Sequence, residues 1–129
     1  PAIARQQIVA ESDFGAGRIY GFNTSAAPQA QAAIARIVEA LKPLGIEAMN
    51  KGGPGPDVGP IAAEGAVWAW LGQDGTDYFD YHHTPDDTLD KIDPAALAQN
   101  TAAYAVFAYL SAAADGSFGS APKPATATP

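Results

Sequence analysis

The chain has no cysteine, few positive charges and no long hydrophobic run, and each shortage removes a class of reading. Without cysteine there are no disulfides and no thiolate metal ligands. That fits a cytosolic protein and a cysteine-poor exported one equally, so the compartment stays open. Seven Lys and Arg stand against fourteen Asp and Glu, for a net charge of −7, and the basic residues are scattered. No stripe of positive charge follows a phosphate backbone, which argues against a nucleic acid partner. No stretch reaches the roughly 18 apolar residues of a membrane span. The most apolar stretch, Tyr104 to Ala114, is too short and too rich in alanine, so a soluble chain is expected. No basic segment followed by an apolar one opens the sequence. Either export is absent or this piece begins downstream of its signal. What remains is 129 residues, 47% of them hydrophobic, enough for one buried core.

Gln7 to Ala10 reads as a short buried strand running into Glu11-Ser12-Asp13, and Gly15 and Gly17 supply a turn before the extended stretch Arg18 to Phe22. Thr24 or Ser25 can cap a helix with Pro28 in its first turn. Ile34, Ile37, Val38 and Leu41 recur on one face of that helix, and Pro43 and Gly45 end it. Ile46 to Met49 forms a second short strand. Lys51 to Asp57, dense in glycine and proline, is a loop. A helical turn over Val58 to Glu64 and a strand over Ala66 to Leu71 follow. Asp74-Gly75 then turns the chain toward Tyr78-Phe79-Asp80-Tyr81-His82-His83. Asp93-Pro94 starts a helix from Ala95 to Ala114 that is apolar nearly all round, which predicts burial on more than one side. Strands separated by helices make the fold class α/β, a mixed sheet layered with helices. Residues 1–116 form the folded portion, and the Ala-, Pro- and Thr-rich residues 117–129 form a flexible tail.

Two places carry chemistry. Asp13 ends an apolar strand just before a glycine turn, where α/β sheets put ligand-binding residues; an aspartate there also serves by bonding its own backbone. His82 and His83, in an aromatic and acidic loop, are the only histidines. In extended backbone adjacent side chains face opposite ways, so one metal ion takes one of the pair and leaves the other for a different task. A surface histidine pair among solvating carboxylates is the alternative.

Taken together, Glu11-Ser12-Asp13-Phe14-Gly15 and His82-His83-Thr84-Pro85-Asp86-Asp87-Thr88 resemble, in order and spacing, two signature stretches of the M28 metallopeptidases, nearest their carboxypeptidase Q-like branch. The loop from Gly52 to Pro60 resembles that family's border of the substrate cleft. The resemblance runs from about Gln7 to the end of the long helix. It implies the C-terminal half of a zinc-exopeptidase catalytic domain, part of a three-layer sandwich, with Asp13 and His83 as ligands of two different zinc ions. It further implies His82 as a donor to the developing oxyanion, Gly55 and Asp57 at the substrate, and Asp87 and Thr88 holding the histidine loop or an imidazole nitrogen.

The activity so implied is hydrolysis of short peptides by a di-zinc amino- or carboxypeptidase. The family's other ligands (a histidine, a bridging aspartate and a glutamate) and its general-base glutamate precede the Asp13 stretch and are absent from this sequence. The chain alone is therefore expected to be inactive, and to associate with itself or with the missing N-terminal half. Two alternatives are a glutaminyl-cyclase-like acyltransferase with a single zinc and a non-catalytic interaction module of the same fold. Many relatives in bacteria are exported, which leans toward the periplasm or secretion.

Overall fold

A computed structural model of the chain describes residues 6–120. Its centre is a three-stranded mixed sheet in the order β2-β1-β3. β1 (Ile19–Thr24) and β2 (Glu47–Ala48) run parallel, joined through α1 (Gln31–Leu41), while β3 (Ala69–Gln73) pairs with β1 antiparallel, Phe22 opposite Leu71 and Thr24 opposite Ala69. A parallel pair needs a crossover, and a helix is the usual one. The α/β reading therefore holds.

The strand expected over Gln7 to Ala10 contracts to one parallel bridge between Val9 and Trp68. It is fixed by Val9 N–H donating to the Val67 carbonyl and Ala69 N–H donating to Val9, each at 2.8 Å.

The two long helices begin differently. Neither Thr24 nor Ser25 caps α1: the Thr24 hydroxyl donates to the Trp68 carbonyl at 2.6 Å, and the Ser25 hydroxyl accepts from Trp68 N–H at 3.0 Å. Both hydroxyls are committed to the backbone of Trp68, just ahead of β3, and entry to α1 is set by a 3-10 turn, Pro28–Ala30, whose proline has its φ already fixed. Ile37 and Leu41 are fully buried, Ile34 and Val38 pack beside them, and a last turn through Pro43 ends at Gly45.

After two short helices, α2 (Gly59–Ala63) and α3 (Tyr78–Tyr81), α4 (Pro94–Ala112) starts as its sequence dictates, with the Asp93 carboxylate accepting from Ala95 N–H at 3.0 Å and Ala96 N–H at 3.2 Å. Its surroundings differ from expectation. Ala96, Gln99, Asn100, Ala103, Phe107 and Ser111 make one buried face, while Leu97 is 50% and Tyr109 73% exposed. Small and amide side chains let α4 lie close to β1 and the turn before it, with Phe107 turned into the core and Leu97 and Tyr109 left pointing outward.

α1 and α4 cover the same face of the sheet, closing a core around Phe22, Ile37, Leu41 and Phe107. A further residue completes it. Phe118, assigned on sequence to a flexible tail, is 1% exposed, and its carbonyl accepts from Ala27 N–H at 2.9 Å. The chain turns back after α4 and seats this ring beside the entry to α1, so order extends past position 116. Residues 121–129 of the expected tail lie outside the described residues.

Burial of this kind has a measurable weight: removing a buried phenylalanine side chain costs about 3–5 kcal/mol. Phe118→Ala should lower the urea midpoint by the equivalent of several kcal/mol at unchanged m-value. A change below about 0.5 kcal/mol, normal for an exposed position, would contradict its place in the core.

Candidate active site

Residues 11–18 link the Val9 bridge to β1 without regular structure, and three of their carbonyls are bonded by side chains from elsewhere. The Tyr104 hydroxyl donates to the Glu11 carbonyl. Gln73 Nε2 donates to Gly15 O at 3.0 Å, and Asn100 Nδ2 to Gly17 O at 3.0 Å. Gln99 takes both ends of Ile19, accepting from its N–H at 2.9 Å and donating to its carbonyl at 2.7 Å. Gln73 also donates to Asn100 Oδ1 at 2.5 Å, which locks the amides to one another. Sequence reasoning missed these residues; the signal was an adjacent Gln and Asn inside an otherwise apolar helix.

Asp13 is held at the middle of this segment, on the wall of two clefts. The larger, of about 670 Å³, is lined by Asp13, Tyr78, His82, His83 and Asp87. The smaller, about 340 Å³ and mainly apolar, is lined by Asp13, Glu11, Phe14, Tyr20, Gly55 and Trp70. The fold thus brings Asp13 and both histidines to one cleft.

The histidines are not disposed as expected. Tyr78–Tyr81 form a single helical turn, α3, after which His82 (φ −51°, ψ 121°) and His83 (φ +59°) bend the chain sharply. His83 occupies the left-handed region that non-glycine residues seldom adopt. The bend lays the two imidazoles face to face, centroids 3.7 Å apart and planes 23° apart, where extended backbone would have set them on opposite sides. The stack continues through Tyr78, 4.5 Å from His82, to Phe14, 4.5 Å from Tyr78. Four rings in a column therefore join the two motif segments. The Tyr78 hydroxyl is pushed up from its ordinary pKa by removal from water, and then by the negative charges of Asp13 and Asp87.

The glycine-rich loop is fastened by Glu11. Its Oε2 accepts from the N–H groups of Asp57 and Val58, both at 2.8 Å. Gly55 makes this possible: at φ +81°, a Cβ there would fall 1.7 Å from Glu11 Oε1. Gly55 reaches the smaller cleft, whereas the exposed Asp57 lines neither and is engaged through its backbone. Asp87 lines the larger cleft, and the Thr88 hydroxyl is turned to its own loop. It donates to Asp90 Oδ1 at 2.5 Å and to the Asp86 carbonyl at 3.3 Å, closing the turn ahead of residues 89–91. A neighbouring lysine already holds Asp90: the hydrogen bond from Lys91 first, and that from Thr88 second, lower its pKa to about 2.

Asp13 and His83 offer oxygen and imidazole nitrogen, a donor pair that suits zinc. Among the described residues no group of three or more His, Cys, Asp or Glu is arranged to hold a metal ion.

No protein-family model matches the chain. It is 29% identical over 113 residues to carboxypeptidase Q of Mus musculus, covering 88% of this chain and 24% of that protein. It is 30% identical over 103 residues to carboxypeptidase Q of Bos taurus, covering 80% and 22%. The crystal structure of a peptidase M28 precursor from Shewanella amazonensis SB2B superposes with a TM-score of 0.82 at 48% identity, over 93% of this chain and 27% of that one. The chain spans about a quarter of the length of the curated relatives it matches.

Two outcomes follow from this geometry. Gly55→Ala should lower stability by about 1–3 kcal/mol, the range for a non-glycine residue forced into a strained conformation, and should speed hydrogen exchange at the Asp57 and Val58 amides; unchanged exchange would remove the Glu11 clasp. The second concerns Tyr104, whose hydroxyl is raised in pKa chiefly by burial. The fold favours its neutral form, so that stability is fully present below the unfolded value of about 10 and is lost as pH rises through the folded one. Urea titrations between pH 8 and 11 should show this loss, and Tyr104→Phe should flatten it.

Proposed function

We propose that this chain, a segment of an M28-family peptidase by sequence and by fold, supplies one side of a two-zinc exopeptidase site that hydrolyses short peptides. The observation that carries this reading is that Asp13 and His83, far apart in sequence, line one cleft together with His82 and Asp87. In this reading Asp13 and His83 each hold a different zinc ion. Bound zinc supplies Lewis acidity to a water and to the scissile carbonyl.

The chain's own residues have simpler tasks. His82, which stacks against His83 in the same cleft, is in this reading the donor of an imidazole N–H to the oxygen that gains charge as the amide is attacked. The Asp87 carboxylate adds negative charge to the cleft wall, which favours a cation there. The loop fastened by Glu11 forms the rim of the adjoining cleft, with Gly55 on its lining. The remaining ligands and the general base come from residues outside these 129, and association with the polypeptide that carries them completes the site. Export to the periplasm or the medium belongs to the same proposal, by analogy with the many bacterial relatives that are exported.

A catalytic zinc ordinarily takes three protein ligands, and this chain gives each ion one. The purified 129-residue chain should therefore lose its zinc on dialysis and cleave no peptide. Two zinc ions retained per chain, or peptide cleavage abolished by a chelator, would overturn this division of the site.

A further inference from the structure

A metal-binding histidine is normally oriented by a carboxylate or carbonyl bonded to its second ring nitrogen. His83 has no such partner among the described residues: neither imidazole hydrogen-bonds to a protein group, and the Thr88 hydroxyl is engaged by Asp86 and Asp90. His83 is also exposed and sits at a strained φ of +59°. Something else must fix its plane. Its ring contacts are with His82, which stacks in turn on Tyr78 at 4.5 Å and 26°. Tyr78 stacks on Phe14 at 4.5 Å and 18°, immediately after Asp13. The column is braced from the side by Phe79, edge-on to Tyr78 at 5.0 Å and to His82 at 6.5 Å. Its far end rests on bare backbone, because a Cβ at Gly75 would lie 1.9 Å from the Phe14 ring. Tyr78 itself is tied into α3, its N–H donating to Gly75 O at 3.0 Å and its carbonyl accepting from His82 N–H at 2.8 Å.

We propose that Tyr78 is a positioning residue: its ring, held between Phe14 and His82, sets the plane in which His83 is presented to the cleft it shares with Asp13. The column replaces the missing hydrogen-bonded partner of the imidazole. The work is done by the face of the ring, so the hydroxyl is dispensable and any flat ring of similar size serves. What His83 does with its orientation rests on the peptidase reading above; where the column holds it does not.

The test compares Tyr78→Phe, which keeps the ring, with Tyr78→Leu, which keeps the bulk but not the flat face, in the 129-residue chain. The first readout needs no metal: the imidazole proton resonances of His82 and His83, displaced by the neighbouring rings in the wild type. They should stay in place in Tyr78→Phe and move toward free-histidine positions in Tyr78→Leu. The second is zinc titration followed on the His83 resonances. Affinity should be unchanged in Tyr78→Phe and weaker by roughly tenfold in Tyr78→Leu, the lower end of the loss seen when a ligand's orienting partner is removed. Far-UV circular dichroism and the urea midpoint identify any loss of the fold itself. If Tyr78→Leu unfolds, Phe14→Leu, which removes the outer ring and leaves α3 intact, is read in the same way.

Histidine resonances that do not move in the leucine variant overturn the proposal, as does an unchanged zinc affinity once they have moved. If the wild-type chain shows no response to zinc, the metal reading falls, and the metal-free spectra still decide whether Tyr78 sets the histidine plane.

Discussion

The structure depends on how a segment with no regular hydrogen bonding is held against the core. Between the Val9 bridge and β1 the chain makes the turns that carry Asp13, and its backbone polar groups would be costly to bury without partners. Four side chains bond three of its carbonyls and both backbone groups of Ile19, where β1 begins: Tyr104, Gln99 and Asn100 from α4, and Gln73 from β3. Each bond nets on the order of 1 kcal/mol, but leaving a buried group unmet costs about 1–3 kcal/mol, so the set acts as a unit. Asp13 is placed by a helix and a strand that do not contain it.

Much of this was legible in the sequence, and what was legible was local. Asp93-Pro94 announced a capped helix, Pro28 the entry to α1 and Gly45 its end, because proline and glycine fix or free their own φ and a capping carboxylate acts within three residues. The layered α/β class followed from the alternation of such signals. The meeting of Asp13 with both histidines was reached through resemblance to a known pair of motifs, since no local signal crosses that distance.

The parts that were not legible are tertiary. Phe118 sits in a stretch whose composition reads as disordered, and one aromatic ring outweighed it by finding a place in the core. Gln99 and Asn100 stand as polar residues in an apolar helix, and the backbone they serve is some eighty residues away in the chain. Thr24 and Ser25 have the right chemistry for a cap but met the backbone of Trp68 first. The face-to-face imidazoles depend on one left-handed residue, which sequence alone does not reveal at a histidine. In each case a local preference was overridden by a partner distant in sequence.

The position of Asp13 on a wall common to two cavities has a thermodynamic consequence. A solute seated on either side dries one flank of the same carboxylate and changes the charge environment met by a solute on the other. Any effect that a solute in one chamber has on this carboxylate would be met by a solute in its neighbour, and a linkage of that kind acts with equal strength in both directions. A single aspartate makes the partition between the two spaces a shared, responsive boundary.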